Sequence, residues 1–329
     1  GGFRVVRKNS NATKTSRKET AAAPPVVLIT GICGRLGQRL TRLLHRQQHV
    51  IGIDRRPFLS FPKDVEHFAV DLRRKKMRDI FRGRDIDAVV HMGIMHNPRT
   101  SSAEHHTWNV LGFQRLLENV AQFHVRKLIV LSGAAVYGAR PDNPQFLEED
   151  APLLGGANWS GLRDLIAVDM LAQSFFWKSP STETVIFRPV HILGSVRNGS
   201  SNYLRLPRVP TLLGFDPMMQ VIHQDDVVEA IRMALRPGIR GIYNLAGPPP
   251  IALSHLIQIA GKPRFAIPHP MAEIAVRKLW KIGMTSFPAP ELDHIRYVCM
   301  VDDERARSVL GFQHRHDVNA AVRAVFETE

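Results

Sequence analysis

The residues most able to do chemistry in this chain lie close to its start. Thr30-Gly31-Ile32-Cys33-Gly34-Arg35-Leu36-Gly37 follows the apolar run VVLIT (26–30) and precedes a helical stretch over 38–47. Glycines at this spacing between a strand and a helix make a cradle for a diphosphate. Gly31 makes the tight turn, Gly34 lets backbone approach the phosphates, and Gly37 leaves room for the helix to lie on the strand. The N–H groups unpaired at a helix start face the phosphate charge, with Cys33, Arg35 and Leu36 in the same turn. The competing interpretation is a tight strand-to-helix turn that binds nothing.

Acidic residues after the next two strands extend this site. Asp54 ends the run VIGID (50–54), where a carboxylate accepts from both hydroxyls of an adenosine ribose and repels a 2′-phosphate, which favours NAD. Arg55 and Arg56 act the other way, because a guanidinium pairs with such a phosphate, so NADP is the alternative. Asp71, with Leu72 beside it, reaches the adenine amino group or else caps the basic stretch that follows. Gly93 and Ile94, after the fourth strand, fall where the chain must pass near the nicotinamide side. His96, His105 and His106 follow in and beyond that loop, at the sheet edge where ligands bind, and imidazole moves protons near neutral pH. A solvent-facing loop or cap role competes for each of them.

The elements that must position these groups alternate. Short apolar runs at 26–30, 50–54, 68–70, 88–91, 127–131 and 184–187 are separated by helical stretches, the longest being 104–123 and 160–177. That is the βαβ pattern of an α/β fold, a Rossmann-type doubly wound parallel sheet, with a smaller C-terminal lobe of substrate type. The reading gives a basic arm over 1–25, a nucleotide-binding domain over 26–190 completed by 220–247, a smaller lobe from 191–219 and 248–300, and a helical end at 301–329. With 329 residues, 44% of them hydrophobic, the chain is long enough for such a core, which excludes wholesale disorder. Its two cysteines, Cys33 and Cys299, form no disulfide framework and no metal-type spacing, so no metal is expected and a reducing, cytoplasmic setting is. No run of eighteen apolar residues and no apolar leader is present; the chain opens on Gly1-Gly2 without a methionine, which leaves room for an upstream segment.

The formal charge of +14 is concentrated in two places, the arm (Arg4, Arg7, Lys8, Lys14, Arg17, Lys18) and the run Arg73, Arg74, Lys75, Lys76, Arg78, Arg82, Arg84. Such surfaces draw nucleic acid, anionic lipid headgroups or an acidic protein, although solvated faces explain them as well.

TGICGRLG (30–37), VIGID (50–54), VDL (70–72), VVHMG (89–93), Asn109 to Gly112, VLSGAAVYG (130–138), FRPVHILG (187–194), VIHQDDVVEAI (221–231), YNLAG (243–247) and LGF (310–312) together resemble the extended short-chain dehydrogenase/reductase family of nucleotide-sugar epimerases and dehydratases. The resemblance implies a Ser or Thr, a Tyr and a Lys as catalytic groups, and these are missing. Gly133 holds the Ser/Thr place, and Ser132, one residue earlier on a strand, should face away. The Tyr and Lys places fall on Trp159 and Arg163 by distance from Gly133, or on Gly161 and Leu165 if Asp169 is matched to the family's acid four residues after the lysine. An indole does not ionise usefully and an arginine keeps its proton; Arg163 suits holding a ribose and Trp159 stacking, but neither suits proton transfer.

Further positions carry weaker implications. Tyr137 holds a place the family uses for packing, His91 and Arg188 hold structural places, and His191 replaces the family's usual Asn. His223 and Asp226 match its HxxD element, and Arg197, Arg205 and Arg208 are candidates for a substrate diphosphate. The resemblance implies a homodimer through 104–123 and 160–177. The leading expectation is a catalytically degenerate dinucleotide-binding protein with a regulatory or structural role. Its alternatives are an NAD(P)-dependent oxidoreductase or epimerase with a relocated proton shuttle, and a polyanion-binding scaffold with a vestigial nucleotide site.

Overall fold

The computed structural model describes residues 24–57, 61–94, 102–157, 160–281 and 293–327; the arm up to residue 23, His96 and Trp159 lie outside them. Seven strands form one parallel sheet: β1 (Val26–Thr30), β2 (His49–Asp54), β3 (Glu66–Ala69), β4 (Ile86–His91), β5 (Lys127–Leu131), β6 (Glu183–Pro189) and, later, β11 (Gly241–Leu245). Their order is β11-β6-β5-β4-β1-β2-β3, so the chain reverses direction across the sheet beside β1. Ligands of open α/β sheets bind at such a switch point, beyond the carboxyl ends of the strands. Because both faces are covered, the strands read as nearly continuous apolar runs. Val27 and Ile29 enter one core while Leu28 enters the other.

The covering helices are α1 (Arg35–Leu44), α2 (Lys76–Arg82), α3 (Ser102–His106), α4 (Gly112–Gln122), α5 (Ser160–Lys178) and, after a short excursion, α7 (Gln224–Ala234). A π-helical turn, Thr107–Leu111, joins α3 to α4, so the long helix expected at 104–123 is one run with a widened middle. That turn buries Trp108 and Asn109.

The segment 191–219, expected to form part of the smaller lobe, contains β7 (His191–Leu193), α6 (Gly199–Arg205), β8 (Val209–Leu212) and β9 (Met218–Met219). Its polar composition serves local hydrogen bonds: the Asn198 side chain caps α6 by accepting from Ser201 N at 2.9 Å. With β10 (Val221–His223), β12 (Ile251–Ala252), α8 (Leu253–Ile259), β13 (Arg264–Ile267), α9 (His269–Lys281) and α10 (Val318–Phe326), this segment builds a third core around Tyr203, Leu204, Leu256 and Val322. The helical end expected at 301–329 is interrupted. A π turn at Ala306–Leu310 stops at Gly311, whose φ of +73° ends it, and α10 begins only after Asp317.

Candidate functional site

The turn after β1 is shaped by backbone contact. Gly31 has φ +75° and lies so close to the β4 end that a Cβ there would come within 2.8 Å of Gly93 and Met92 backbone atoms. At Gly37 a Cβ would meet Gly31 O at 2.5 Å and Ile32 Cα at 2.7 Å, neither of which can move aside cheaply. Gly34 precedes α1 with no side chain to cap it, and Gly34, Arg35, Leu36 and Gly37 line the cleft, so the first-turn amides are left uncapped at its edge. Gly37→Ala is therefore expected to lower stability by about 1–3 kcal/mol through overpacking. Dinucleotide binding should be lost with it, as checked by thermal melting and calorimetry on the same preparation.

The adenosine end is closed by the protein's own arginines. Asp54 accepts from Cys33 N at 3.1 Å, from Arg56 N at 3.0 Å and from Arg56 Nε and Nη2 at 3.2 Å each. Burial alone would push its carboxyl up, but the Arg56 bonds and charge outweigh that and hold it below the usual carboxylate range. Burial and the nearby Asp54 push the Cys33 thiol up to about 12, so it is no nucleophile. Asp71 takes Arg73 N at 2.9 Å and the Arg73 guanidinium, while Leu72 is buried against Gly112. The Arg55 guanidinium lies 4.4 Å from the centroid of the Trp108 ring, and the Trp108 indole donates to Gly93 O at 3.3 Å.

Between the cradle and the ends of β5 and β6 lies a cleft of about 330 Å³, lined by Gly34, Arg35, Ile94, Gly133, Leu165 and Pro189 among others. The residues of the two registers read for the missing Tyr and Lys take different places here. Leu165 lines the cleft, and a Cβ on Gly133 would sit 3.8 Å from Leu165 Cδ2, whereas Arg163 is exposed, packs against Gly156 and is not part of the lining. Leu165 thus gives this part of the cleft an aliphatic lining.

Ser132 turns away, as strand alternation requires. Its Oγ donates to Asp169 Oδ2 at 2.6 Å, and Asp169 is held by Arg188 through Nε at 2.9 Å and Nη2 at 2.7 Å. Arg188 also donates to Tyr137 Oη at 2.9 Å, and Tyr137 donates to Asn244 Oδ1 at 2.7 Å. Burial pushes the Tyr137 phenol up to about 12. Tyr137 is a bracket of the core, not a base.

The cleft's imidazoles come from distant parts of the chain. His191 and His294 both line it, with ring centroids 5.8 Å apart and edge to face, and His191 Nδ1 lies 2.7 Å from Ser200 Oγ. Burial pushes His191 to about 3, helped by His294, and His294 to about 4, so both are neutral near pH 7. His294 Nδ1 is buried and has no hydrogen-bond partner among the described residues. Nothing in the sequence around His294 marks it; only the fold of the smaller lobe brings it to the cleft.

The remaining candidates take other places. His105 is buried at 6% exposure, contrary to the solvent-facing alternative, and His106 Nδ1 lies 3.0 Å from Asp164 Oδ1. Arg205 is consumed by the carbonyls of Gly194, Val196 and Val325 and so ties down the smaller lobe; it is not an arm for a diphosphate. Arg208 lies over the Phe265 ring at 5.8 Å, and only Arg197 of the three lines the cleft. In the basic run, Arg73, Arg82 and Arg84 are paired with Asp71, Asp79 and Glu66.

His223, Asp225 and His316 bring ligand-type atoms within 4.8 Å of one another. The two rings stack at 3.8 Å and 15°, so their in-plane lone pairs cannot converge on one ion. Their Nδ1 atoms are engaged by Asp225 N at 3.0 Å and Asp226 Oδ1 at 2.9 Å. No helix among the described residues is long and apolar enough to cross a membrane.

A family model described as the NAD dependent epimerase/dehydratase family matches residues 27–246, about two thirds of the chain. The chain belongs to that family. The NAD dependent epimerase/dehydratase family assignment fits the cradle and sheet order, and the expectation of NAD as the cofactor class agrees with it. Among relatives, the uncharacterized protein Rv0501 of Mycobacterium tuberculosis is 27% identical over 305 residues, covering 88% of this chain and 80% of its own. A UDP-glucuronate 4-epimerase of Thermodesulfobacterium geofontis is 26% identical over 145 residues, 38% of this chain and 45% of its own. Among solved structures, MoeE5 in complex with UDP-glucose and NAD superimposes with a TM-score of 0.70 at 21% identity, covering 91% of this chain and 96% of that one. UDP-glucose 4-epimerase of Thermotoga maritima gives 0.69 at 16% identity, with 91% and 97% covered.

Proposed function

We propose that this member of the NAD dependent epimerase/dehydratase family binds NAD and uses its occupancy in a regulatory or structural role, without the proton chemistry of a tyrosine–lysine pair. The observation that carries the reading is Leu165 facing Gly133 across the cleft, with Ser132 turned into the core. The amides before and within the first turn of α1 would hold the diphosphate, and Asp54 would hold a ribose. NAD, when bound, supplies a hydride acceptor. Leu131, Leu165 and Val190 line the cleft with apolar groups, which exclude water but move no proton. Binding that favours one conformation is enough to bias assembly with a partner. The test mixes the protein with NAD and either UDP-glucose or UDP-glucuronate. Binding heat without formation of reduced nicotinamide or of an epimer is expected; steady turnover would overturn the reading.

His191 and His294 support a second reading, an oxidoreductase or epimerase whose proton moves through imidazole. It predicts that any turnover disappears in His294→Gln while dinucleotide affinity stays within about twofold.

The proposed assembly is a homodimer through α4 and α5. Met170 and Trp177, one heptad apart on α5 and therefore on one face, are 58% and 79% exposed, and Leu111 beside α4 is 44% exposed. Large apolar groups left bare together mark an interface. Trp177→Glu is expected to weaken self-association by at least about tenfold in sedimentation. A monomer at high concentration before any substitution would reject the dimer.

A further inference from the structure

Past the cradle, the cleft is walled by Ile94, Leu131, Leu165, Val190, Ile192 and Val196, and Gly133 adds no side chain to it. These groups adjoin one another. A Cβ on Gly133 would lie 3.8 Å from Leu165 Cδ2 and 3.9 Å from Pro189 O, and His191, two residues past Pro189, packs against His294. The polar side chains of the lining are mostly spent on the protein itself. Ser132 Oγ donates to Asp169, and Ser200 Oγ lies 2.7 Å from His191 Nδ1. Asn198 donates to Ile192 O at 2.8 Å and accepts from Ser201 N at 2.9 Å. Cys299 Sγ rests 3.7 Å from Ala134 O, and burial pushes its thiol up to about 12, so it behaves as an apolar group. Arg35 opens α1 at the cradle, and Arg197 is exposed. His294 is left as the lining group whose buried Nδ1 has no hydrogen-bond partner among the described residues. Burial keeps His191 and His294 neutral near pH 7, so neither ring attracts an ion.

A hexose brings a hydroxyl on nearly every carbon, and each one buried without a partner costs affinity. Among the described residues the inner cleft has too few unspent polar side chains for that, whereas its walls favour a guest that takes apolar surface out of water. A single hydroxyl suits His294, because it both donates and accepts and so meets a neutral imidazole in either tautomer. We infer that the cleft past the cradle binds a compact, mainly apolar alcohol, its hydroxyl at His294 and its hydrocarbon part against Leu165 and Val190. At about 330 Å³ the whole cleft is at the small end for ligand pockets, which limits the guest to a single ring or a short chain. This site goes beyond the dinucleotide reading, since it takes a second molecule.

Saturation-transfer NMR on the full chain reads the site, with benzyl alcohol, toluene, benzoate and glucose as probes, each without NAD and with NAD in excess. Benzyl alcohol should bind with a Kd of about 5 mM or below, and glucose should show no transfer. His294→Phe keeps an aromatic ring and removes the polar atoms. It should weaken benzyl alcohol about fivefold or more and leave toluene within about twofold, and the retained toluene shows that the cleft is still formed. Gly133→Val places a Cβ in ordinary contact with Leu165 and fills the cleft with its methyl groups. It should weaken both probes by at least about tenfold at an unchanged melting temperature, which locates the guest past the cradle.

UDP-glucose or glucose displacing benzyl alcohol overturns the inference. So does benzoate binding more tightly than benzyl alcohol, because Arg197 and not His294 would then select the guest. Equal weakening of toluene and benzyl alcohol in a His294→Phe protein of unchanged melting temperature overturns it as well. A protein that holds NAD but no benzyl alcohol refutes this inference alone, whereas one that holds benzyl alcohol and refuses NAD refutes the dinucleotide reading alone.

Discussion

Asp169→Ala is expected to lower the unfolding free energy by about 3–5 kcal/mol, the largest loss foreseen for any single side chain here. Asp169 is 0% exposed and Arg188 is 1% exposed, so removing the carboxylate leaves a guanidinium charge without water or counter-ion. Among the described residues, Tyr137 Oη at 2.9 Å and Glu149 O at 2.8 Å would remain to it. The damage spreads because the same group holds Ser132 at 2.6 Å and Gln173 at 2.8 Å, joining β5, α5 and β6 beneath the cleft. Urea unfolding should show the midpoint collapse with little change in slope, and Asp169→Asn, which keeps the shape and part of the bonding, should fall between. A loss below about 1 kcal/mol for the alanine variant would mean that the pair contributes no more than an exposed one. Folded Asp169→Ala should also bind dinucleotide more weakly, since Ser132 and Gly133 lose their anchor.

The same pair shows where sequence reasoning stops. The seven strands were legible because a parallel sheet covered on both faces needs runs such as VVLIT and KLIVL, and the switch point follows from their alternation with helices. The cradle was legible because glycine spacing records steric need, and the backbone contacts at Gly31 and Gly37 are that need in space. The choice between Trp159 with Arg163 and Gly161 with Leu165 was not legible, since both registers satisfy helix spacing. Asp169 reaching Ser132 and Arg188, and Leu165 lying near Gly133, are contacts that favour the Gly161 and Leu165 register in the proposed reading.

Other features needed contacts that local pattern does not encode. Arg56 beside Asp54 reads as a rival for a phosphate, but its fork on the carboxylate depends on the turn that aims both side chains to one side. His294 lies about a hundred residues beyond His191 in sequence and has no motif around it. Arg205 looked like a free cation because its acceptors are carbonyls from three separate segments. The elements within 191–219 have the same origin: α6 is held by a side-chain cap and, with its strands, by the third core, so their apolar periodicity is weak.

Acid should destabilise the protein through His91 while the carboxylates are still ionised. His91 is 1% exposed, its ring stacks on Phe113 at 4.7 Å, and its Nε2 has no hydrogen-bond partner among the described residues. Burial pushes it down to about 3, below the value of about 6.5 expected when unfolded. The unfolded chain therefore takes up the proton first. Stability is full above about pH 6.5 and is lost as the pH falls toward the folded value, at about 1.4 kcal/mol per unit for one group. From pH 6.5 to 5 that amounts to about 2 kcal/mol from His91, and His191 and His294 act in the same direction. The site feels this step, because His91 Nδ1 lies 2.8 Å from Thr30 Oγ1, which accepts from Met92 N and Gly93 N at 3.3 Å beside the cradle. A proton on Nδ1 turns that atom into a donor and forces the Thr30 hydroxyl to rotate. Denaturation curves at pH 7, 6 and 5 should show stability falling with pH, and dinucleotide affinity should fall with it. In His91→Phe, whatever its cost at pH 7, the slope should be smaller by close to one proton. A slope that His91→Phe leaves unchanged would exclude His91 as the group that titrates.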